Sequence, residues 1–219
     1  MAAGNPGRNE TLMLRVGLTG GIGCGKTSVA QILRELGCVV LEADPVAHRL
    51  IEPGQPAYDE IVRAFGRQVC APDGRIARAR LAAIVFADSA KLARLNSIVH
   101  PRVARELDRE LDELARAGRH DVAVVEAALL IEATYHERLD RLVVVWCDPE
   151  QQIARLLARG MTPAQVEARI AAQMQLDQKR RLADDEIDCS GSPEETRRQV
   201  KSLVAKLKQL GAAAARQQG

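Results

Sequence analysis

The spacing of apolar positions changes several times along the chain, and each change marks a predicted element. Apolar residues run through 13–18, and after a glycine-rich turn the segment 26–36 carries them at helical spacing. Gly37 predicts the end of that helix, and 38–41 is the next apolar run. Strand, helix and strand at this spacing predict a βαβ unit, in which a right-handed crossover joins two parallel strands.

The middle of the chain predicts helices and no strand. Within residues 45–117, apolar positions recur at helical spacing in the segments 57–65, 79–86, 89–99 and 102–117. Pro101 stands before the last segment, and a proline there is typical of a helix start. We expect this helical stretch to be an insertion over the carboxyl edge of the sheet.

The α/β pattern resumes near residue 121. We expect strands over 121–126, 142–147 and 186–188, and helices over 149–160, 163–174 and 193–210. Thr162 and Pro163 are the predicted cap and first residue of the second of these helices. Residues 1–12 lack periodicity and predict a loose tail, and residues 211–219 are expected to fray.

Residues 20–27 spell Gly-Gly-Ile-Gly-Cys-Gly-Lys-Thr, which fits the phosphate-binding pattern G-x-x-x-x-G-K-[ST] of the P-loop. A predicted strand enters it and a predicted helix leaves it, so a plain connecting turn is the weaker interpretation. Glycines let backbone N–H groups converge on phosphate oxygens, and the helix N-terminus favours the negative charge. Lys26 would face the β- and γ-phosphates, and the Thr27 hydroxyl would ligate Mg²⁺. The expected nucleotide contacts are Gly21, Gly23, Cys24, Gly25, Lys26, Thr27 and Ser28.

Carboxylates stand at the ends of two predicted strands. Asp44 follows the second strand, at the edge where open parallel sheets bind ligands. It would accept a proton from a hydroxyl that attacks the γ-phosphate, or it would cap the helix that Pro45 begins. Glu126 ends a later strand and would meet Mg²⁺ directly or through water, or would be a strand-end cap; Glu132 is a weaker candidate of the same kind.

The stretch 155–181 carries six positive and two negative side chains. Arg155 and Arg159 are four residues apart and share a helix face. In a phosphotransferase, arginines on a mobile helical hairpin clamp the transferred group and exclude water, and Gly160 would be the hinge. The alternative is an ordinary solvated helix face.

The composition excludes several classes of protein. The net charge of +2 and the 2% aromatic content argue against a nucleic-acid binder. Membrane insertion and secretion are disfavoured, because the chain has no apolar run of about 18 residues and its first ten residues lack the apolar segment of a signal peptide. Its five cysteines are scattered without a C-x-x-C pair, so we expect a cytoplasmic protein without a zinc site. No protein partner is evident.

From about Leu14 to Leu210 the chain resembles dephospho-coenzyme A kinases, a family of P-loop kinases. The most specific match is 16–27, which is close to the family's GLTGGIGSGKS, and Glu-Ala-Asp at 42–44 stands where the family has D-A-D. Further matches are His48-Arg49, His100-Pro101, the Leu-Leu-x-Glu that ends at Glu132, Gln152-x-x-Arg155-Leu156 with Arg159, Arg169-Ile170-x-x-Gln173, and Ala183-Asp184 before Ile187.

The resemblance implies transfer of a phosphoryl group from ATP, with Mg²⁺, to the 3′-hydroxyl of the ribose of dephospho-coenzyme A. Asp44 would then be the base, Lys26 and Arg155 would stabilise the transferred group, and Arg159 would contact the nucleotide. The residues that the resemblance assigns to the substrate are His48, Arg49, His100, Glu132 and Arg169.

The resemblance also implies a three-layer P-loop fold, with a parallel sheet, an inserted helical substrate domain and a helical lid. The nucleotide-binding core would comprise 13–44, 119–149 and 183–210, the coenzyme A domain 45–118 and the lid 150–182. The tails would be 1–12 and 211–219.

Four positions depart from the family pattern. Glu42 replaces the first Asp of D-A-D, Cys24 the P-loop serine, Ala128 the proline of Asp-x-Pro, and Cys189 an asparagine. The P-loop also admits a kinase of another small metabolite, such as a nucleotide or a small acid. A GTPase-type switch is disfavoured, because no N-K-x-D motif occurs and the one D-x-x-G, at 188–191, lies near the end of the chain.

Overall fold

Five strands form one sheet in the computed structural model, which describes residues 13–217. In chain order they are β1 (Leu14–Gly20), β2 (Val39–Glu42), β3 (Val122–Glu126), β4 (Arg141–Trp146) and β5 (Asp185–Asp188). Across the sheet their order is β2-β3-β1-β4-β5. β1 pairs in parallel with β3 and β4, and β4 pairs in parallel with β5. The predicted α/β class and parallel sheet are confirmed.

Helices make up most of the other described residues. In chain order they are α1 (Lys26–Glu35), α2 (Ala43–Leu50), α3 (Tyr58–Phe65), α4 (Arg78–Phe86), α5 (Ser89–Ala117), α6 (Pro149–Ala158), α7 (Pro163–Ala171), α8 (Leu176–Leu182) and α9 (Pro193–Gln217). Short 3₁₀ helices lie at Arg67–Val69 and Tyr135–Arg138. Within the described residues, none of the helices has the length and apolar character needed to cross a membrane.

The chain divides into two compact units. Among the described residues, the larger comprises 13–41 and 111–217, and the smaller is Glu42–Glu110. The smaller unit ends inside α5, earlier than the boundary expected for a domain over 45–118. The last turns of α5 belong to the larger unit, where Asp112 forms an ion pair with Arg15 of β1 at 2.8 Å.

The core of the larger unit lies between the sheet and the helices α1 and α9. Leu18, Val145 and Leu207 are among its fully buried members. β4 is buried at its four central positions, which explains its unbroken apolar sequence, because strands covered on both faces have no solvent side. This packing fixes the carboxyl ends of β1, β3 and β4 as neighbours.

The smaller unit has its own core, and its helices α3, α4 and α5 all contribute to it. Ile61, Val85 and Ile98 are buried there. Arg102 reinforces the packing with an ion pair to Glu60 at 2.6 Å.

The predicted break at Pro101 is wrong, because α5 continues through this residue. A proline inside a helix removes one hydrogen bond and costs about 3 kcal/mol. Here Ile98 before it and Leu107 after it are both buried on the same helix. The burial of both halves of the apolar stripe offsets that cost, and sequence signals alone do not reveal this packing.

Two further boundaries differ from the prediction at the C-terminal end. The predicted helix over 163–174 ends at Ala171, and a separate helix, α8, follows it. The predicted fraying after residue 210 is wrong as far as residue 217, since α9 continues to Gln217. Alanine has the highest helix propensity of all residues, and the run of alanines there favours continuation of the helix. The predicted tail 1–12 lies outside the described residues.

Candidate active site

The glycine-rich turn connects β1 directly to α1. Gly23 and Gly25 have φ angles of 79° and 105°, in the left-handed region that favours glycine. A Cβ at Gly25 would lie 3.1 Å from the Sγ of Cys189, so the loop also has little room for side chains. The loop therefore presents backbone rather than side chains, as phosphate binding requires.

Lys26 is the first residue of α1, and its side chain folds back over the loop. Its Nζ donates hydrogen bonds to the carbonyl oxygens of Gly20 and Gly21, both at 3.2 Å. Thr27 and Ser28 follow in the first turn, and both are exposed. A positive side chain, two hydroxyls and the helix N-terminus thus lie together, an arrangement that favours a phosphate.

Cys24 contributes differently from the other loop residues. Its side chain is fully buried in the core, so only its backbone is available to a nucleotide, and its N–H donates to the Gly21 carbonyl at 3.2 Å. Burial, and then the neighbouring Cys24 thiol, raise the pKa of Cys147 to about 12. Burial also raises the pKa of Cys189. The thiols of Cys147 and Cys189 are therefore protonated packing groups at neutral pH.

The end of β3 lies beside the entrance to the loop. Glu126 is opposite Leu18 in the parallel register of β1, and the next N–H, that of Ala127, donates to the Leu18 carbonyl at 3.1 Å. The Thr19 hydroxyl donates to the Ala128 carbonyl at 3.3 Å. Glu126 therefore ends the strand that pairs with β1, and β1 leads into the P-loop. This is the position expected for a metal-binding acid.

The donor atoms at this edge suit Mg²⁺. The Thr27 hydroxyl and the Glu126 carboxylate are oxygen ligands, and Mg²⁺ is usually held by one or two such groups together with substrate phosphates and water. Among the described residues, no group of three or more His, Cys, Asp or Glu side chains could hold a metal alone. The residues present thus fit a magnesium ion that arrives with a nucleotide.

Glu132, expected to bind substrate, forms a buried ion pair. Its Oε1 lies 2.9 Å from the Nζ of Lys179 in α8, whose side chain is 0% exposed. The same oxygen accepts the Met174 N–H at 2.9 Å, and Lys179 also donates to the Ala128 carbonyl at 2.7 Å. The charge pattern had placed Lys179 among the solvated or phosphate-binding cations, so its burial was missed.

The three arginines expected near the nucleotide or substrate differ in their surroundings. Arg155 is half-buried in α6, and its guanidinium donates to the Cys189 carbonyl at 2.7 Å and to Gln151 at 3.2 Å. Arg159 ends the same helix and Arg169 lies in the last turn of α7, and both are exposed. Arg155 therefore already has partners, whereas Arg159 and Arg169 extend into solvent.

Four predicted site residues belong to the smaller unit. Asp44 is exposed in the first turn of α2, which begins at Ala43 with Glu42 as its N-cap. The interpretation of Asp44 as that helix's cap is therefore wrong. His100 is half-buried in the middle of α5.

His48 and Arg49 are exposed in α2, and both have local partners. The His48 ring nitrogens lie 3.0 and 3.1 Å from the Nη1 of Arg78. Arg49 forms an ion pair with Glu110 at 2.9 Å. Such exposed pairs are weak, so they leave both side chains available to a ligand.

Two glutamines contact the P-loop, and neither was predicted to have a role there. The N–H of Ile22 donates to the Oε1 of Gln173 at 2.9 Å, and the Nε2 of Gln152 donates to the Ile22 carbonyl at 2.8 Å. Both glutamines stand in sequence stretches that match the family, but the sequence around a glutamine does not indicate which distant residue it contacts.

Fold and site together define a class of protein. A parallel α/β sheet, a glycine-rich turn from the central strand into a helix, and a lysine folded over that turn are the features of P-loop kinases. A shikimate kinase from Bacteroides thetaiotaomicron has the same fold, with a TM-score of 0.51 at 14% identity over 90% of this chain and 99% of that one.

Within that class, the chain belongs to the dephospho-CoA kinase family, whose model matches residues 14–195. A dephospho-CoA kinase of Thermobifida fusca is 49% identical over 184 residues, which cover 84% of this chain and 90% of the relative. The crystal structure of TT1252 from Thermus thermophilus has a TM-score of 0.76 and 35% identity, over 89% of this chain and 98% of that one. The predicted family and kinase class are confirmed.

Proposed function

We propose that this protein transfers the γ-phosphoryl group of ATP to the 3′-hydroxyl of the ribose of dephospho-coenzyme A, giving coenzyme A and ADP. Membership of the dephospho-CoA kinase family is the observation that supports the substrate most directly. The folded P-loop, with Lys26 bonded to its carbonyls, supports the use of a nucleoside triphosphate. This reaction completes coenzyme A biosynthesis, and we expect it to take place in the cytoplasm.

The P-loop would bind and orient the donor. Its backbone N–H groups and the N-terminus of α1 would hold the β- and γ-phosphates, and Lys26 would exchange a loop carbonyl for phosphate oxygen. Mg²⁺ held by Thr27, Glu126 and the phosphates would offset the negative charge of the transferred group. The protein forms no covalent bond in this reaction, so positioning and charge stabilisation provide the rate enhancement.

Asp44 would accept the proton of the attacking 3′-hydroxyl. It is the exposed carboxylate that follows β2, and its side chain does not cap α2. His48 and Arg49, one turn further along the same helix, would contact the anionic acceptor, together with His100 and Arg169.

Arg155 and Arg159 would stabilise charge on the donor from α6. Arg155 now donates to the Cys189 carbonyl, so we expect it to exchange this partner when a nucleotide binds. We do not extend the substrate role to Glu132, because it is paired with the buried Lys179.

The product identifies the reaction. Purified protein is incubated with ATP, Mg²⁺ and dephospho-coenzyme A, and the product is examined by mass spectrometry and ³¹P NMR. We expect coenzyme A with its new phosphate on the 3′-oxygen of the ribose. Unchanged dephospho-coenzyme A, or a phosphate on another oxygen, would contradict the proposal.

A further inference from the structure

The backbone of Ile22 is held at both of its polar atoms by side chains from outside the P-loop. Gln173, between α7 and α8, accepts from its N–H at 2.9 Å. Gln152, in α6, donates to its carbonyl at 2.8 Å. Ile22 is the third residue of the motif, so both contacts are made at the turn that holds the phosphates.

One contact uses the side-chain amide as a hydrogen-bond acceptor, and the other uses it as a hydrogen-bond donor. Only an oxygen can accept from the Ile22 N–H, and only the NH₂ group can donate to the Ile22 carbonyl. A glutamate at position 173 would still offer an oxygen to the N–H. A glutamate at position 152 would instead place a carboxylate oxygen against the carbonyl oxygen, and the bond would be lost.

Both glutamines are themselves held in place. Gln152 is buried, with 8% of its surface exposed, and a Cβ at Gly21 would come within 2.8 Å of its Nε2. Gln173 directly precedes Met174, whose N–H donates to Glu132, the partner of the buried Lys179. The segment that carries Gln173 is thus anchored at the next residue as well as at the loop.

We infer that Gln152 and Gln173 are positioning residues that hold the Ile22 backbone and so link the helical segment α6–α8 to the shape of the P-loop. In the proposed reaction they contact neither ATP nor dephospho-coenzyme A, and they act through the loop. The part of this inference that concerns turnover rests on the proposed function, whereas the part that concerns ATP binding does not.

The test compares one chemical change at two positions. Gln152→Glu and Gln173→Glu each add one negative charge next to the same loop residue, so the general repulsion of ATP is matched. ATP affinity is measured by isothermal titration calorimetry with Mg²⁺ and without an acceptor. We expect Gln152→Glu to bind ATP about tenfold more weakly than Gln173→Glu, because only the former leaves a backbone carbonyl without its donor.

Two controls separate positioning from folding. The melting temperature of both variants is measured first, and Gln152→Met, which removes the donor without adding charge, replaces Gln152→Glu if the latter does not fold. In steady-state assays, the KM for ATP should rise in the position-152 variants while the KM for dephospho-coenzyme A stays within about twofold.

Equal loss of ATP affinity in the two glutamate variants would overturn the inference, because charge alone would then explain both. Full affinity in Gln152→Met would overturn it as well. If the wild-type protein binds ATP but phosphorylates no dephospho-coenzyme A, the proposed function fails, and the calorimetric comparison still decides the role of the glutamines.

Discussion

Replacement of Lys179 by methionine tests the buried ion pair that anchors α8. The lysine side chain is 0% exposed and has two oxygen partners, Glu132 Oε1 and the Ala128 carbonyl. Methionine has a similar length but no donor. It would leave the half-buried Glu132 carboxylate, whose buried Oε2 has no hydrogen-bond partner among the described residues, with the Met174 N–H as a remaining donor to Oε1.

The magnitude follows from the cost of leaving a buried charge without its partner. Removal of one member of a buried pair destabilises a protein by about 3–5 kcal/mol. For a chain of this size, about 1 kcal/mol shifts the melting temperature by about 2–4 °C. We therefore expect Lys179→Met to lower the melting temperature by at least about 6 °C.

The double variant Lys179→Met/Glu132→Leu provides the matched control. Replacing both members of a buried pair with apolar residues is often neutral, so the double variant should be more stable than Lys179→Met alone. Both are measured by calorimetry and urea denaturation beside the wild type. A single variant within about 1 kcal/mol of the wild type, or a double variant no more stable than the single, would refute the reasoning.

Two further predictions concern the proposed base and the buried thiols. Asp44→Asn should reduce turnover by about 10² while calorimetry finds ATP affinity unchanged, and a normal rate would remove Asp44 as the base. Cys147 has a pKa raised from 9.0 to about 12 by burial, so the unfolded thiol ionises first as the pH rises. The free energy of unfolding should therefore fall between pH 9 and 12, and less steeply in Cys147→Ala. Equal slopes in urea titrations of the two proteins would contradict this assignment.

The strands and the P-loop could be predicted because their signals are local. The apolar run of β4 and the glycine pattern after β1 each require one conformation of a short segment. The cap at Thr162 is a similar case. The Thr162 hydroxyl oxygen accepts the Gln165 N–H at 3.3 Å, and the Gln165 side-chain oxygen accepts the Thr162 N–H at 3.0 Å. Local sequence signals were therefore sufficient to predict these elements.

The features that sequence reasoning missed depend on residues far apart in the chain. Pro101 predicts a helix boundary, but the packing of residues on both sides keeps α5 continuous. Lys179 stands in a basic stretch typical of a solvated face, and only its contact with Glu132, 47 positions earlier, shows that it is buried. The partner of Gln173 is likewise 151 residues away. The spacing of residues along the sequence does not predict which distant residues come into contact.

The measurement that tests the central claim most directly is a coupled ADP-release assay with ATP and Mg²⁺. Dephospho-coenzyme A is compared with AMP, shikimate and no acceptor at equal concentrations. We predict rapid ADP release with dephospho-coenzyme A and only background release with the other three. Rapid release with AMP or shikimate instead would retain the P-loop kinase and contradict the proposed substrate, and no release with any acceptor would contradict the proposed activity itself.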